Sequence, residues 1–126
     1  MSKIVVAVNV MIENKEQISS VQRGRGAIEG ELFFLYEHKH KWSIFKVPEI
    51  EDEYILCYYP GDGSLRAYAQ MGEDTDWDEI DIVFYRTKDI GTKEARQSFA
   101  ELYSTVKELN FGMDAILDAI ISSRSN

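Results

Sequence analysis

Apolar positions along this chain change their spacing once, near residue 92. Before that point they come in short runs or alternate, the pattern of strands, and after it they recur every three to four residues, the pattern of a helix. Ile4-Val5-Val6-Ala7-Val8-Asn9-Val10-Met11-Ile12 is almost solidly β-branched. Such side chains lose rotamer freedom in a helix, so the run reads as a strand, and being apolar on both faces it reads as a central one. Residues 13–30 are polar and glycine-interrupted, with room for a short strand near Ile18 to Gln22.

Strand character resumes at Glu31 to Glu37 and again at Trp42 to Val47, where Pro48 stops it. A four-residue connection, 38–41, between two such runs predicts a hairpin with Leu32, Phe34, Phe45 and Val47 on one face. A second hairpin is predicted from Tyr54–Tyr59 and Leu65–Met71, which flank Asp62-Gly63. Asp-Gly suits a type I′ turn because both central residues need positive φ. Tyr54, Leu56 and Tyr58 would then face Met71, Ala69 and Ala67. Ile80, Ile82 and Phe84 alternate in a last strand that ends near Lys88.

From Thr92, a plausible N-cap, Ala95, Phe99, Leu102, Tyr103, Val106 and Leu109 fall on one helical face. Asn110 and Gly112, which tolerate left-handed backbone, read as a stop. A second helix from Met113 carries Ile116, Leu117, Ile120 and Ile121 as its apolar stripe. The expected fold is therefore α+β: a mostly antiparallel five- or six-stranded sheet with two C-terminal helices packed on one face. A chain of 126 residues suits a single domain, 1–126, with 1–91 mainly strands and 92–123 helical. Its expected core is Val6, Val8, Phe34, Phe45, Leu56, Tyr58, Ile82, Phe84, Phe99, Leu102, Val106, Ile116, Leu117 and Ile120.

Composition changes this picture little: 44% hydrophobic and 29% charged residues are ordinary for a folded domain. Cys57 is the single cysteine, so no internal disulfide forms, and its apolar neighbours mark it as a buried small hydrophobe. The N-terminal apolar run is far too short for a membrane span and lacks a small-residue cleavage site. A cytoplasmic location without membrane contact is the expectation.

Charge changes the picture more. The net charge is −8, yet residues 1–47 hold seven basic and five acidic groups, residues 48–91 three and twelve, and residues 92–126 four and five. Nearly all the acidity thus belongs to the middle third, which disfavours nucleic-acid binding. Six carboxylates without a base lie in Glu73-Asp74-Thr75-Asp76-Trp77-Asp78-Glu79-Ile80-Asp81. The segment reads as a solvated loop, as a contact surface for a basic partner with Trp77 as an anchor, or as a cation site. An EF-hand beginning at Asp74 needs Gly at its sixth place and Glu at its twelfth, and those places hold Glu79 and Tyr85, so that motif is absent.

His38 and His40 stand beside lysines in an expected turn with no third ligand evident, which favours surface roles over a metal. Arg23-Gly24-Arg25-Gly26 lacks the Lys-Ser/Thr ending of a P-loop. No catalytic motif is present. The leading expectation is a non-catalytic interaction protein, without metal or cofactor, that binds a protein partner or forms a homo-oligomer. Glu73, Asp74, Asp76, Trp77, Asp78 and Glu79 would supply the partner surface. The alternative is a small-molecule-binding domain, or an enzyme of unknown reaction, with a pocket between sheet and helices. Tyr59, Arg66, Tyr68 and Tyr85 would line that pocket, with Arg66 favouring a ligand carboxylate or phosphate.

Overall fold

The computed structural model describes residues 2–72 and 74–124. Its centre is a five-stranded antiparallel meander in which each strand pairs with the next: β1 (Ile18–Arg23), β2 (Leu32–Tyr36), β3 (His40–Lys46), β4 (Tyr54–Tyr58) and β5 (Val83–Arg86). Helices α1 (Lys3–Glu13), α2 (Leu65–Gln70), α3 (Thr87–Ile90), α4 (Lys93–Asn110) and α5 (Met113–Ser123) complete it. The α+β class and the antiparallel sheet with C-terminal helices agree with the expectation. None of the helices is long and apolar enough to cross a membrane, among the described residues.

The β-branched run at the N-terminus is a helix, not a central strand. Ser2 caps it, its Oγ accepting from the Val5 amide at 3.4 Å. Val5, Val8 and Met11 then fall on one buried face, while Val6, expected in the core, is exposed. Helix propensity separates valine from good helix formers by only about 0.5 kcal/mol per residue. Burying each such side chain is worth roughly 1.5–3 kcal/mol, so packing decides the conformation.

The first hairpin turns in three residues instead of four. Glu37 and His38 both take positive φ, 55° and 60°, and Tyr36 pairs with His40. The expected pairing opposed Phe34 to Phe45, whereas Phe34 lies opposite Trp42. That is a slip of three residues, and an odd slip exchanges the two faces of a strand. Phe45 consequently leaves the face of Leu32 and Phe34 and joins Phe33 on the other.

The second expected hairpin does not form. Ser64 caps α2, its Oγ accepting from the Ala67 amide at 3.1 Å, and Leu65, Tyr68 and Ala69 are buried at helical spacing. Lys41 fastens the turn before it by donating to the carbonyls of Gly61 and Gly63.

One sheet face, the inner one, carries Leu32, Phe34, Ile44, Tyr54 and Leu56 against Phe99, Leu102 and Val106 of α4 and Val8 and Met11 of α1. Ser98 of α4 donates to Asn9 Oδ1 of α1 at 2.7 Å across the two helices. Thr92 caps α4 as expected, its Oγ1 accepting from the Ala95 amide at 3.2 Å, and Gly112 in the left-handed region (φ 66°) separates α4 from α5. Beyond that break the pattern misleads. Ile116, Leu117 and Ile120, expected in the core, are 45%, 47% and 62% exposed, and α5 buries none of its residues.

Candidate functional site

The opposite, outer face is only partly covered. Strand alternation directs Phe33, then Lys41, Ser43 and Phe45, then Ile55 and Cys57 to this side, with Tyr59 just past β4. Short α2 covers one end through Leu65, Tyr68 and Ala69, and Tyr68 stacks on Tyr59 with ring centroids 4.8 Å apart. Lys41 reaches over the Tyr68 ring, 5.5 Å from its centroid.

Beside α2 a cleft of about 340 Å³ stays open. Phe45, Cys57, Tyr59 and Glu31 border it from the sheet, Gly26, Ala27 and Ile28 from the β1–β2 loop, and Trp77, Asp78, Ile80 and Ile82 from the segment before β5. The β1–β2 loop is pinned by three hydrogen bonds: Gly24 N–H to Glu31 C=O, Arg25 N–H to Ala69 C=O, and Tyr103 O–H to Gly30 C=O at 2.8 Å. Gly24 permits this closeness, since a Cβ there would stand 2.7 Å from a Phe33 ring carbon. A larger hollow of about 480 Å³ lies between the same loop and the end of α4, but mostly exposed residues line it.

A buried polar trio distinguishes the cleft. Glu31 is only 9% exposed, yet its Oε2 accepts a hydrogen bond from Ser43 Oγ at 2.8 Å. Ser43 Oγ also lies 2.8 Å from the Tyr59 hydroxyl. The serine has one proton, committed to Glu31, so Tyr59 is the donor in that second bond. Glu31 Oε1 receives no hydrogen bond among the described residues and keeps some contact with solvent.

Burial raises the Glu31 carboxyl above its ordinary range, and the Ser43 hydrogen bond partly opposes this. Burial likewise pushes the Cys57 thiol up to about 12, with smaller effects from Ser43, Glu31 and Arg86. Burial also drives the Tyr59 phenol upward. At neutral pH the thiol and phenol are therefore uncharged, and Cys57 is no activated nucleophile. Among the described residues Asp78 and Glu31 are the acidic groups of the lining, and none of them brings a basic side chain to it. The cleft can therefore accept hydrogen bonds from a donor and favour a cation, while its apolar walls take a hydrocarbon body.

The expected site residues are distributed as follows. Trp77 and Asp78 reach the cleft from the 3₁₀ turn Trp77–Glu79, whose start Asp76 caps, accepting from the Asp78 amide at 3.2 Å. Asp74 and Glu79 are exposed, and Glu73 lies outside the described residues. Asp74, Asp76, Asp78 and Glu79 form no ion pair among the described residues, where Arg86–Asp89 at 3.8 Å is the pair present. Of the four alternative pocket residues, Tyr59 and Tyr68 meet on the outer face. Arg66 is exposed on α2, and Tyr85 packs against the inner core, so these two are not brought to the cleft. Glu31 and Ser43 escaped the sequence reading. A serine inside Trp42-Ser43-Ile44-Phe45 was the available signal, being a lone hydroxyl in an otherwise apolar strand. Comparisons with protein-family models, with curated proteins and with solved structures found no match.

Proposed function

We propose that this chain is a non-catalytic binding domain whose outer-face cleft takes a small organic ligand with an apolar body and a positively charged, hydrogen-bond-donating head. The observation that carries this reading is the buried Glu31 carboxylate, which borders an apolar cleft and accepts a hydrogen bond from Ser43. A buried carboxylate is poorly hydrated, and a bound ammonium would offset that cost with an opposite charge and a donor. The acidic rim adds attraction for a cation. The charge preference is opposite to the one Arg66 suggested, because Arg66 does not line the cleft. Cys57, buried and free, fits a reducing, cytoplasmic setting.

The test uses 4-phenylbutylamine and its acid counterpart 4-phenylbutanoate as matched probes in amide-shift NMR titrations. The amine is expected to shift the amides of Ala27, Ile28, Ile80 and Ile82, with a Kd at least about tenfold tighter than the acid. Glu31→Gln should remove most of that preference. Equal binding of both probes, or shifts confined to another surface, would overturn the reading.

A second reading keeps the acidic segment as the surface for a basic protein partner. Its support is the set of unpaired carboxylates Asp74, Asp76, Asp78 and Glu79 around a part-exposed Trp77, with the neighbouring Glu73 in sequence.

A further inference from the structure

The geometry of α5 points to self-association: we propose that a second copy of this chain lies antiparallel along its apolar stripe. Met113, Leu117 and Ile120 follow one another at helical spacing, flanked by Ile116 and Ile121. Ile116, Leu117, Ile120 and Ile121 are 45%, 47%, 62% and 58% exposed. Scattered exposed aliphatics are ordinary, but four contiguous ones on a short helix form a patch of the kind that marks an interface.

Charge placement selects the occupant. Asp114 stands in the first turn of α5 and Asp118 at its middle, and Arg124 follows its last turn, continuing the line of Met113, Leu117 and Ile120. Asp114 and Arg124 are separated by about 15 Å along the axis. A parallel copy would set Asp114 beside Asp114. An antiparallel copy sets Arg124 of each chain against Asp114 of the other, twice by symmetry, and opposes the two helix dipoles favourably. The stripe is thus complementary to itself in one orientation, through both its apolar residues and its ends. This proposal is independent of the cleft, which lies on the outer sheet face while α5 borders α4.

Sedimentation velocity of the full chain over a micromolar concentration series tests it, with far-UV circular dichroism as the check on folding. A concentration-dependent dimer is expected, and Leu117→Glu combined with Ile120→Glu should raise its Kd more than about a hundredfold. Asp114→Arg alone and Arg124→Asp alone should each weaken it about five- to tenfold, and the two together should restore it. A wild-type monomer throughout the series would overturn the proposal, whether or not another protein binds α5. So would a dimer untouched by the double glutamate variant, or a charge swap that fails to restore association.

Discussion

The two faces of one sheet differ in how completely they are closed. On the inner face α4, eighteen residues long, and α1 leave Phe34, Ile44, Leu56, Phe99, Leu102 and Val106 without solvent contact, and the buried side chains there are nearly all hydrocarbon. On the outer face the cover is six-residue α2 and an irregular segment, and the buried set includes Glu31, Ser43, Cys57 and Tyr59. Hydrocarbon needs only contact, so a long helix seals it. A carboxylate and two hydroxyls need partners with direction, and the outer face supplies these from strands while leaving room beside them. Buried hydrocarbon is concentrated on one side of the sheet, and buried polar groups on the other.

This contrast is exposed to three measurements. The largest effect is expected from Phe99→Ala, which should lower unfolding free energy by about 3–5 kcal/mol in urea titrations. Phe45→Ala at the cleft should cost clearly less, because its ring already borders open space. Equal costs would mean that the two faces are equally well packed.

An intermediate effect should follow Ser43→Ala, which strips Glu31 of its donor and Tyr59 of its acceptor, at about 1–3 kcal/mol. The cost should depend on pH in a defined direction. Glu31 is raised above its unfolded value, so its contribution is fully present below the unfolded pKa, near 4.5, and declines as pH rises through the folded one. The Ser43 hydrogen bond lowers the folded pKa, so losing it raises that value further. The gap between wild type and variant should therefore widen from pH 4 to pH 7. A constant gap would show that Glu31 does not depend on Ser43.

The smallest effect is expected from Asp74→Asn, Asp76→Asn and Asp78→Asn combined. Stability should change by no more than about 0.5 kcal/mol, whereas low-salt binding of polylysine should weaken several-fold. Unchanged polylysine affinity would remove the acidic segment from consideration as a partner surface.

Much of this fold is legible in the amino-acid sequence, and its failures share a cause. Helix α4 announces itself through its period, its Thr92 cap and its stop at Asn110 and Gly112, all of which are local. Strands β2, β3 and β4 are visible as apolar runs for the same reason. Helix α1 is misread because β-branched propensity is local, while the partner that buries Val8 lies some ninety residues away. In α2, Leu65, Tyr68 and Ala69 satisfy helical spacing, but six residues are too few to exclude alternation. The candidate site was hidden by register. With a four-residue turn, Ser43 would oppose Tyr36 and stand on the face of Leu32 and Phe34, away from Glu31. The three-residue turn sets Ser43 opposite Phe33 and beside Glu31 instead. Tyr59, Trp77 and Asp78 were visible as candidates, but in separate hypotheses, because only the folded chain joins them along one cleft.

The Asn9–Ser98 bond joins α1 to a helix that is synthesised some ninety residues later. The meander needs only neighbouring strands, so its hairpins can pair soon after they leave the ribosome. Helix α1 precedes the sheet in the chain, yet its buried Val8 and Met11 share a core with Phe99, Leu102 and Val106 of α4 as well as with the strands, so that face is completed only once α4 has been made. At about 5–20 residues per second, its apolar face waits on the order of five to twenty seconds for that partner. Until then the nascent chain carries a short helix with an incompletely covered apolar face, which offers a chaperone a hold.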